Sequence, residues 1–435
     1  MMRRVILLMM VLGFAACSKS GTDSGPVEYG DARITAIIPH PDHKVTAYNF
    51  VYPSTDPFGQ PVMLSGTFTV DSKAADEKKA NGIALINHYT IFKANECPSR
   101  GELDMQYVAS GSGLITVSAD YYGFGVTQSK PQAYCLASAN ARASVDALLG
   151  AKELIPTLGL SFRSGTEDLL YNIGYSEGGQ TSIGVVKIIA EEYPDIKISQ
   201  TFAGAGSYDV VATYKEFLKQ DLTGMPSTVI SVIIACNEFY RLGIPLNRMF
   251  KQPVLGDIGK WILSKKYTRT QIDKHIGSLA FSSFATDEIL NPESEIAIKL
   301  ANAMENENLC KGWTPRGDEK ISLYHHRKDI TVPVVCSENL YNFLVDEKGL
   351  SKSNVSLYIN DSEPEPAADG SVEPYHEFGA RAFATSLVLQ IAFDLLLHGV
   401  VWVPEIQAIP HLPLVIKFTT RLRLCFSVAR GTNRL

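Results

Sequence analysis

Gly174-Tyr175-Ser176-Glu177-Gly178-Gly179 is the stretch that decides how the rest of the chain reads. An apolar run, Leu169 to Tyr175, precedes it, and a helix-like run, Gln180 to Glu192, follows it. A strand, a tight turn and a helix with serine at the apex form a nucleophile elbow. Such a turn forces Ser176 into strained backbone geometry and lifts its Oγ above the sheet edge. Gly174 and Gly178 lack Cβ atoms, so strand and helix can approach closely there. The helix N-terminus also sets the Glu177 amide where an oxyanion would form. Gly-x-Ser-x-Gly by itself recurs by chance. The strand before it and the helix after it favour the elbow over a plain Gly-rich turn.

Outward from the elbow, strands and helices alternate. Tyr48, Phe50 and Tyr52 recur at every second position, and Val62 to Val70 follows a turn at Gly59, which predicts an antiparallel hairpin at a sheet edge. Ile83 to Ile86 and Gly113 to Ser118 read as buried strands, Met105 to Ser112 and Ala139 to Ile155 as helices, and Ile198 to Ala205 as a further strand. This alternation implies βαβ units and a mostly parallel central sheet, an α/β architecture of the α/β-hydrolase kind. From 207 to 318 the patterns turn mainly helical, including Asp209 to Lys219, Met249 to Ser264, Thr270 to Phe281 and Glu293 to Met304. We read this stretch as an inserted helical cap between a first core segment, 46–206, and a second, 319–400. Its apolar runs, such as Val229 to Ala235, are either plain cap core or the lining of an acyl-chain groove. Residues 26–48 read as a lead-in.

A serine nucleophile needs a base to take its proton and a carboxylate to orient that base. In this fold the chain order is Ser, acid, His. After Ser176 come His275, His325, His326, His376, His398 and His411. His275 falls in the cap, His325 and His326 end a strand upstream of the best acid, His398 ends a helix, and His411 lies in the tail. His376 alone falls in a loop between the last convincing strand, Val355 to Ile359, and the closing apolar helix, Phe378 to Leu397. Asp329 follows the strand Ile321 to His325 and suits the acid; Asp361 and Asp369 are alternatives in a loose acidic loop. The loop after Ile83 to Ile86 should supply the second oxyanion N–H, from Thr90 or a direct neighbour. His88 either orients that loop or is a hydrogen-bonded structural histidine. Asp120 precedes Ser176 and reads as structural.

The chain has 435 residues, 45% hydrophobic and 20% charged, with a net charge of -6. These values fit an ordinary globular protein and argue against nucleic acid as a partner. Arg3 and Arg4, the apolar Val5 to Phe14, and Ala15-Ala16-Cys17 make a lipoprotein-type signal peptide, residues 1–17, with Cys17 as the lipidated residue. An ordinary signal peptide cut near Ala16 is the alternative. Both send the protein out of the cytoplasm, and the first places it on a membrane surface. Residues 18–45 then form linker and lead-in. Cys236 and Cys336 sit in apolar runs and read as buried free thiols. Cys97, Cys135 and Cys310 adjoin polar or turn residues and suit disulfides better. No Cys/His spacing resembles a zinc site. The basic tail, 401–435, has no assigned role.

Residues of about 45–400 resemble the secretory lipase family of α/β-hydrolases. The resemblance rests on Tyr52-Pro53, Asp56 and Gly59-Gln60-Pro61-Val62, on Cys97-Pro98-Ser99, on Asp120-Tyr121-Tyr122-Gly123-Phe124-Gly125, on the elbow, and on the late Asp329 and His376. It implies ester hydrolysis, a helical lid between elbow and acid, and a bridge from the oxyanion loop to the lid, which by position is Cys97 to Cys310. The reading that emerges is an exported serine esterase or lipase that needs no cofactor and acts on a small-molecule or lipid ester. A serine exopeptidase of the same fold and a non-catalytic binding lipoprotein are the rival readings.

Overall fold

The computed structural model describes residues 30–101, 111–367 and 369–400. The leader with Cys17, the expected helix from Met105 and the tail 401–435 with His411 therefore lie wholly or mostly outside the described residues. Nine strands form one sheet: β1 (Arg33–His40), β2 (Val45–Thr55), β3 (Pro61–Asp71), β4 (Ile83–Asn87), β5 (Ile115–Ala119), β6 (Leu170–Tyr175), β7 (Gln200–Gly204), β8 (Ile321–His326) and β9 (Val355–Asn360). Their order across the sheet is β1-β2-β3-β5-β4-β6-β7-β8-β9. The first four in that order pair antiparallel, and every pairing from β5 to β9 is parallel. The chain crosses over between β4 and β5, so β4 lies beside β6. The register sets Asn87 against Gly174 and Tyr175 against Gly204. The loops that leave these strand ends meet above the sheet's carboxyl edge, where open α/β sheets carry their sites.

Strands β2 to β8 bury side chains on both faces, as the interior of a sheet flanked by two helical layers must. On one face, α1 (Ala137–Leu154), α2 (Glu177–Glu192) and α7 (Val335–Asn342) cover the strands. Phe50, Tyr52 and Phe68 of the hairpin pack there with Leu148 of α1. On the other face, α8 (Tyr375–Leu397) lays Phe383, Leu387, Ile391 and Leu395 against Tyr171, Tyr175 and Tyr324. By length and composition α8 is apolar enough to cross a membrane, but that stripe is spent on the sheet, while Phe393 and Leu397 face outward.

Between β7 and β8 the chain builds the cap. Its main helices are α3 (Val210–Gln220), α4 (Pro226–Phe239), α5 (Arg269–Ile276) and α6 (Glu295–Glu305). They enclose a separate core of Ile230, Ile233, Phe250, Phe281, Phe284 and Leu300. Asp209, Thr268 and Ser294 cap the N-termini of α3, α5 and α6 by accepting backbone N–H bonds. Lys265 ties the cap to the core, donating to the carbonyls of Gly123, Gln128 and Lys130.

The structure corrects four sequence expectations. The lead-in is not free: residues 33–40 form β1, pairing with β2, so the hairpin lies one strand in from the edge. Ile37 and Ile38 are exposed on this outer strand, and its alternation is correspondingly weak. The helix expected over Met249 to Ser264 is broken into short pieces around Pro253, whose ring and missing N–H prevent a continuous helix. The closing helix begins at Tyr375, so His376 lies in its first turn and not in a loop. Cys97, Cys135 and Cys310 are free thiols, as are Cys236 and Cys336. Cys97 packs with Ile91 and Phe124, whereas Cys310 packs into a different cluster near Trp313, so the expected Cys97–Cys310 bridge does not form.

Candidate active site

Ser176 is the residue between β6 and α2, with φ 58° and ψ −124°. A positive φ is uncommon for a residue with a side chain, and such strain concentrates at functional sites. The turn holds because its surroundings fix it. Ser176 donates its N–H to Gly204 O at 2.8 Å, and Gln180 donates to Ser176 O at 3.1 Å. A Cβ on Gly174 would sit 2.0 Å from Gly178 O, and one on Gly178 would sit 2.1 Å from Asn87 O. Neither neighbour is a movable side chain, so only glycine permits the close strand–helix packing.

The turn of α8 and the loop after β8 converge on this serine. His376 Nε2 lies 2.9 Å from Ser176 Oγ, and His376 Nδ1 lies 2.6 Å from Asp329 Oδ2. The other carboxylate oxygen, Oδ1, accepts the N–H groups of Thr331 at 2.8 Å and Val332 at 3.0 Å. All three side chains are buried or nearly so. Burial pushes the Asp329 carboxyl up, but the His376 charge and hydrogen bond, with His325 close beside it, outweigh it and hold Asp329 below the usual carboxylate range. Burial lowers His376, yet the facing Asp329 charge and hydrogen bond prevail and raise it above the ordinary imidazole value. The arrangement can therefore move a proton from a hydroxyl to an imidazole and stabilise the resulting imidazolium.

The other candidates lie elsewhere. Asp361 pairs with Arg327 on the exterior. Asp369 bonds Ser371 within its own turn. His275 pairs with Asp257 and stacks on Trp261 in the cap, and His398 bonds Asp394 O. His326 bonds Ser362 O. Asp120 is a buried bracket for the loop after β4, accepting from Ser65 Oγ at 2.5 Å and from Ser99 N–H at 2.8 Å. His88 stacks on Tyr121 with ring centres 3.9 Å apart, and its Nδ1 lies 2.7 Å from Tyr89 O. Burial lowers its pKa, which favours a neutral histidine holding that loop. Thr90 sits on the same loop, with its hydroxyl 2.9 Å from the Tyr134 hydroxyl.

Three supporting groups escaped sequence reasoning. Tyr175 donates its hydroxyl to His376 O at 2.8 Å, so the elbow strand grips the turn that carries the imidazole. His325 bonds Ser337 Oγ and Val332 O, each at 2.7 Å, and packs its Nε2 3.6 Å from Asp329 Oδ2. Asn87, Asn172 and Ser182 form a buried polar ladder that ties β4 to β6 and α2. Polar residues at otherwise apolar strand positions were the available signal, since a buried amide requires partners.

A cavity of about 610 Å³, its mouth included, opens beside Ser176 and Glu177 and runs between α3 and α4. Val210, Tyr214 and Phe217 line one side, and Val229, Val232 and Ile233 the other. Among the described residues, no three His, Cys, Asp or Glu side chains gather as metal ligands.

The molecule has the α/β-hydrolase fold: a mostly parallel sheet, helices on both faces, and a helical cap inserted ahead of the loop that carries Asp329. No family model and no curated protein matches the sequence. Solved structures do match. A Legionella pneumophila protein assigned provisionally as a hydrolase superposes with a TM-score of 0.69 at 18% identity, over 88% of this chain and 99% of that one. The rice cell wall degrading esterase LipA of Xanthomonas oryzae superposes at 0.67 with 16% identity, over 84% and 97%. Candida antarctica lipase A in its closed state superposes at 0.58 with 14% identity, over 88% and 85%. At these identities the likeness is one of fold.

Proposed function

We propose that this protein is a serine hydrolase of carboxylic esters, an esterase or lipase that works through an acyl-enzyme. The observation that carries the reading is the continuous relay from Ser176 Oγ through His376 to Asp329, mounted on a strained elbow at the mouth of an apolar cavity. Ser176 Oγ attacks the ester carbonyl carbon as His376 Nε2 takes its proton. Asp329 holds the imidazolium through Nδ1. The oxyanion forms against the backbone N–H groups of Glu177 and Thr90; one such donor is worth roughly 3–4 kcal/mol where it has been removed. His376 returns the proton to the departing alcohol. Water then attacks the acyl-enzyme with His376 again as base, releasing the acid and freeing Ser176.

The acyl group lies between α3 and α4, whose facing side chains are apolar. The esterase and lipase neighbours support ester over amide chemistry, and the secretory lipase resemblance points the same way. The protein is exported and held to a membrane through a lipid on Cys17, leaving the hydrolase domain in water. Cys17→Ser should move the protein from the membrane fraction to the soluble fraction with turnover per molecule retained; membrane retention of that variant would exclude the lipid as anchor. The catalytic reading is tested by fluorophosphonate labelling, which should be lost in Ser176→Ala.

A further inference from the structure

Glu177 follows the nucleophile directly and is 3% exposed. A buried carboxyl is costly, and an apolar residue of similar size is often no less stable, so its presence needs a reason. Its Oε1 accepts from the Cys135 N–H and from Asn140 Nδ2, each at 3.1 Å, while Oε2 is buried without a hydrogen-bond partner among the described residues. Burial pushes this carboxyl up to about 7, against the two hydrogen bonds, which lower it.

What Glu177 grips is itself strained. Cys135 has φ +52°, a left-handed conformation for a residue with a side chain. The residue before it, Tyr134, is buried, and its hydroxyl meets Thr90 Oγ1 at 2.9 Å. Tyr134, Cys135, Ser176 and Glu177 all line the same cavity. A continuous path thus runs from the elbow, through the Glu177 carboxyl, to Cys135 and Tyr134, and across to the loop after β4.

We propose that Glu177 and Tyr134 are positioning residues that hold the Thr90 loop at a fixed distance from the Ser176 elbow, keeping the two halves of the oxyanion site in register. This rests on the ester hydrolase reading. Oxyanion stabilisation requires donors already in place, and misplacement by about 1 Å costs on the order of 100-fold. Loss of the tie should therefore fall on the transition state and spare ground-state binding.

The test is a cycle of Tyr134→Phe, Thr90→Val and the double variant, in protein whose thermal melt remains cooperative. It reads kcat and KM on p-nitrophenyl butyrate and the inhibition constant of an alkyl trifluoromethyl ketone, whose serine adduct carries an oxyanion. Each single variant should lower kcat about 10-fold, leave KM within about 2-fold, and weaken the ketone by a similar factor. The double variant should be no worse than either single, because both remove one shared contact. Thr90→Ser should recover most of the loss, as should Glu177→Gln relative to Glu177→Ala, since an amide oxygen accepts the same two bonds. Wild-type kcat in the singles, or losses that multiply in the double, would overturn the proposal while leaving the hydrolase reading intact. Absence of Ser176-dependent turnover in the unmodified protein would overturn the hydrolase reading and this proposal with it.

Discussion

The elbow and the relay rest on single residues whose neighbours leave little freedom. At Gly174 an added Cβ meets the Gly178 carbonyl, a backbone atom that moves only with the helix. Gly174→Ala should cost about 3 kcal/mol or more, at the upper end of what overpacking does, and lower the denaturant midpoint accordingly. An unchanged midpoint would mean that the turn is looser than its contacts. In the proposed mechanism Asp329 and His376 set the pH dependence. The pKa of His376 is raised, and only the neutral imidazole can take the Ser176 proton. The acid limb of kcat/KM should therefore lie above the ordinary imidazole value of about 6.5, with activity lost as pH falls through it. Asp329→Asn removes the charge that raises His376 and also the acceptor that fixes its tautomer. It should lower kcat by roughly 10⁴-fold, as loss of the corresponding carboxylate does in serine triads. Equal turnover in the variant would remove Asp329 from the mechanism.

At the level of elements, what the sequence made legible followed the strength of its patterns. Strands β4 to β8 bury both faces in the parallel sheet, so they read as short apolar runs. Ser176 was reached from its Gly-rich turn between strand and helix, Asp329 and His376 from chain order and loop position, and the structure brings these three together. Elements with a weak apolar signal were harder. β1 is exposed, with Ile37 and Ile38 facing outward, and its sequence resembled a loop. His376 read as a loop residue because Pro374 and the acidic stretch before it mask the helix start. Cys236 and Cys336, set in apolar runs, read as buried free thiols and are so, whereas Cys97, Cys135 and Cys310 could not be read from the polar residues beside them, since pairing depends on which cluster each cysteine enters. The cap offers its own test. Val229 and Val232 of α4 face the cavity beside Ser176. Val229→Trp should fill that space and shift the preferred p-nitrophenyl ester toward shorter acyl chains, chiefly through KM for the longer ones. An unaltered chain-length profile would place the acyl group elsewhere.

In the whole molecule, two bodies with separate cores meet over one serine. The sheet and its helices carry Ser176, His376 and Asp329, and the cap supplies the apolar wall of the cavity beside them. Arg269 of the cap bonds both Asp273 and Glu377, the neighbour of His376, so the cap touches the segment that holds His376. This division matches the proposed chemistry: a rigid sheet edge for a strained nucleophile, and a helical layer for an apolar substrate. The measurement that tests the central claim most directly is hydrolysis of p-nitrophenyl esters of two to sixteen carbons, beside aminoacyl p-nitroanilides, by residues 18–435 and by its Ser176→Ala variant. We expect ester turnover that vanishes in Ser176→Ala while the melting temperature stays within a few degrees, with anilides cleaved far more slowly. Ester turnover that survives Ser176→Ala, or anilide cleavage that exceeds it, would contradict the account.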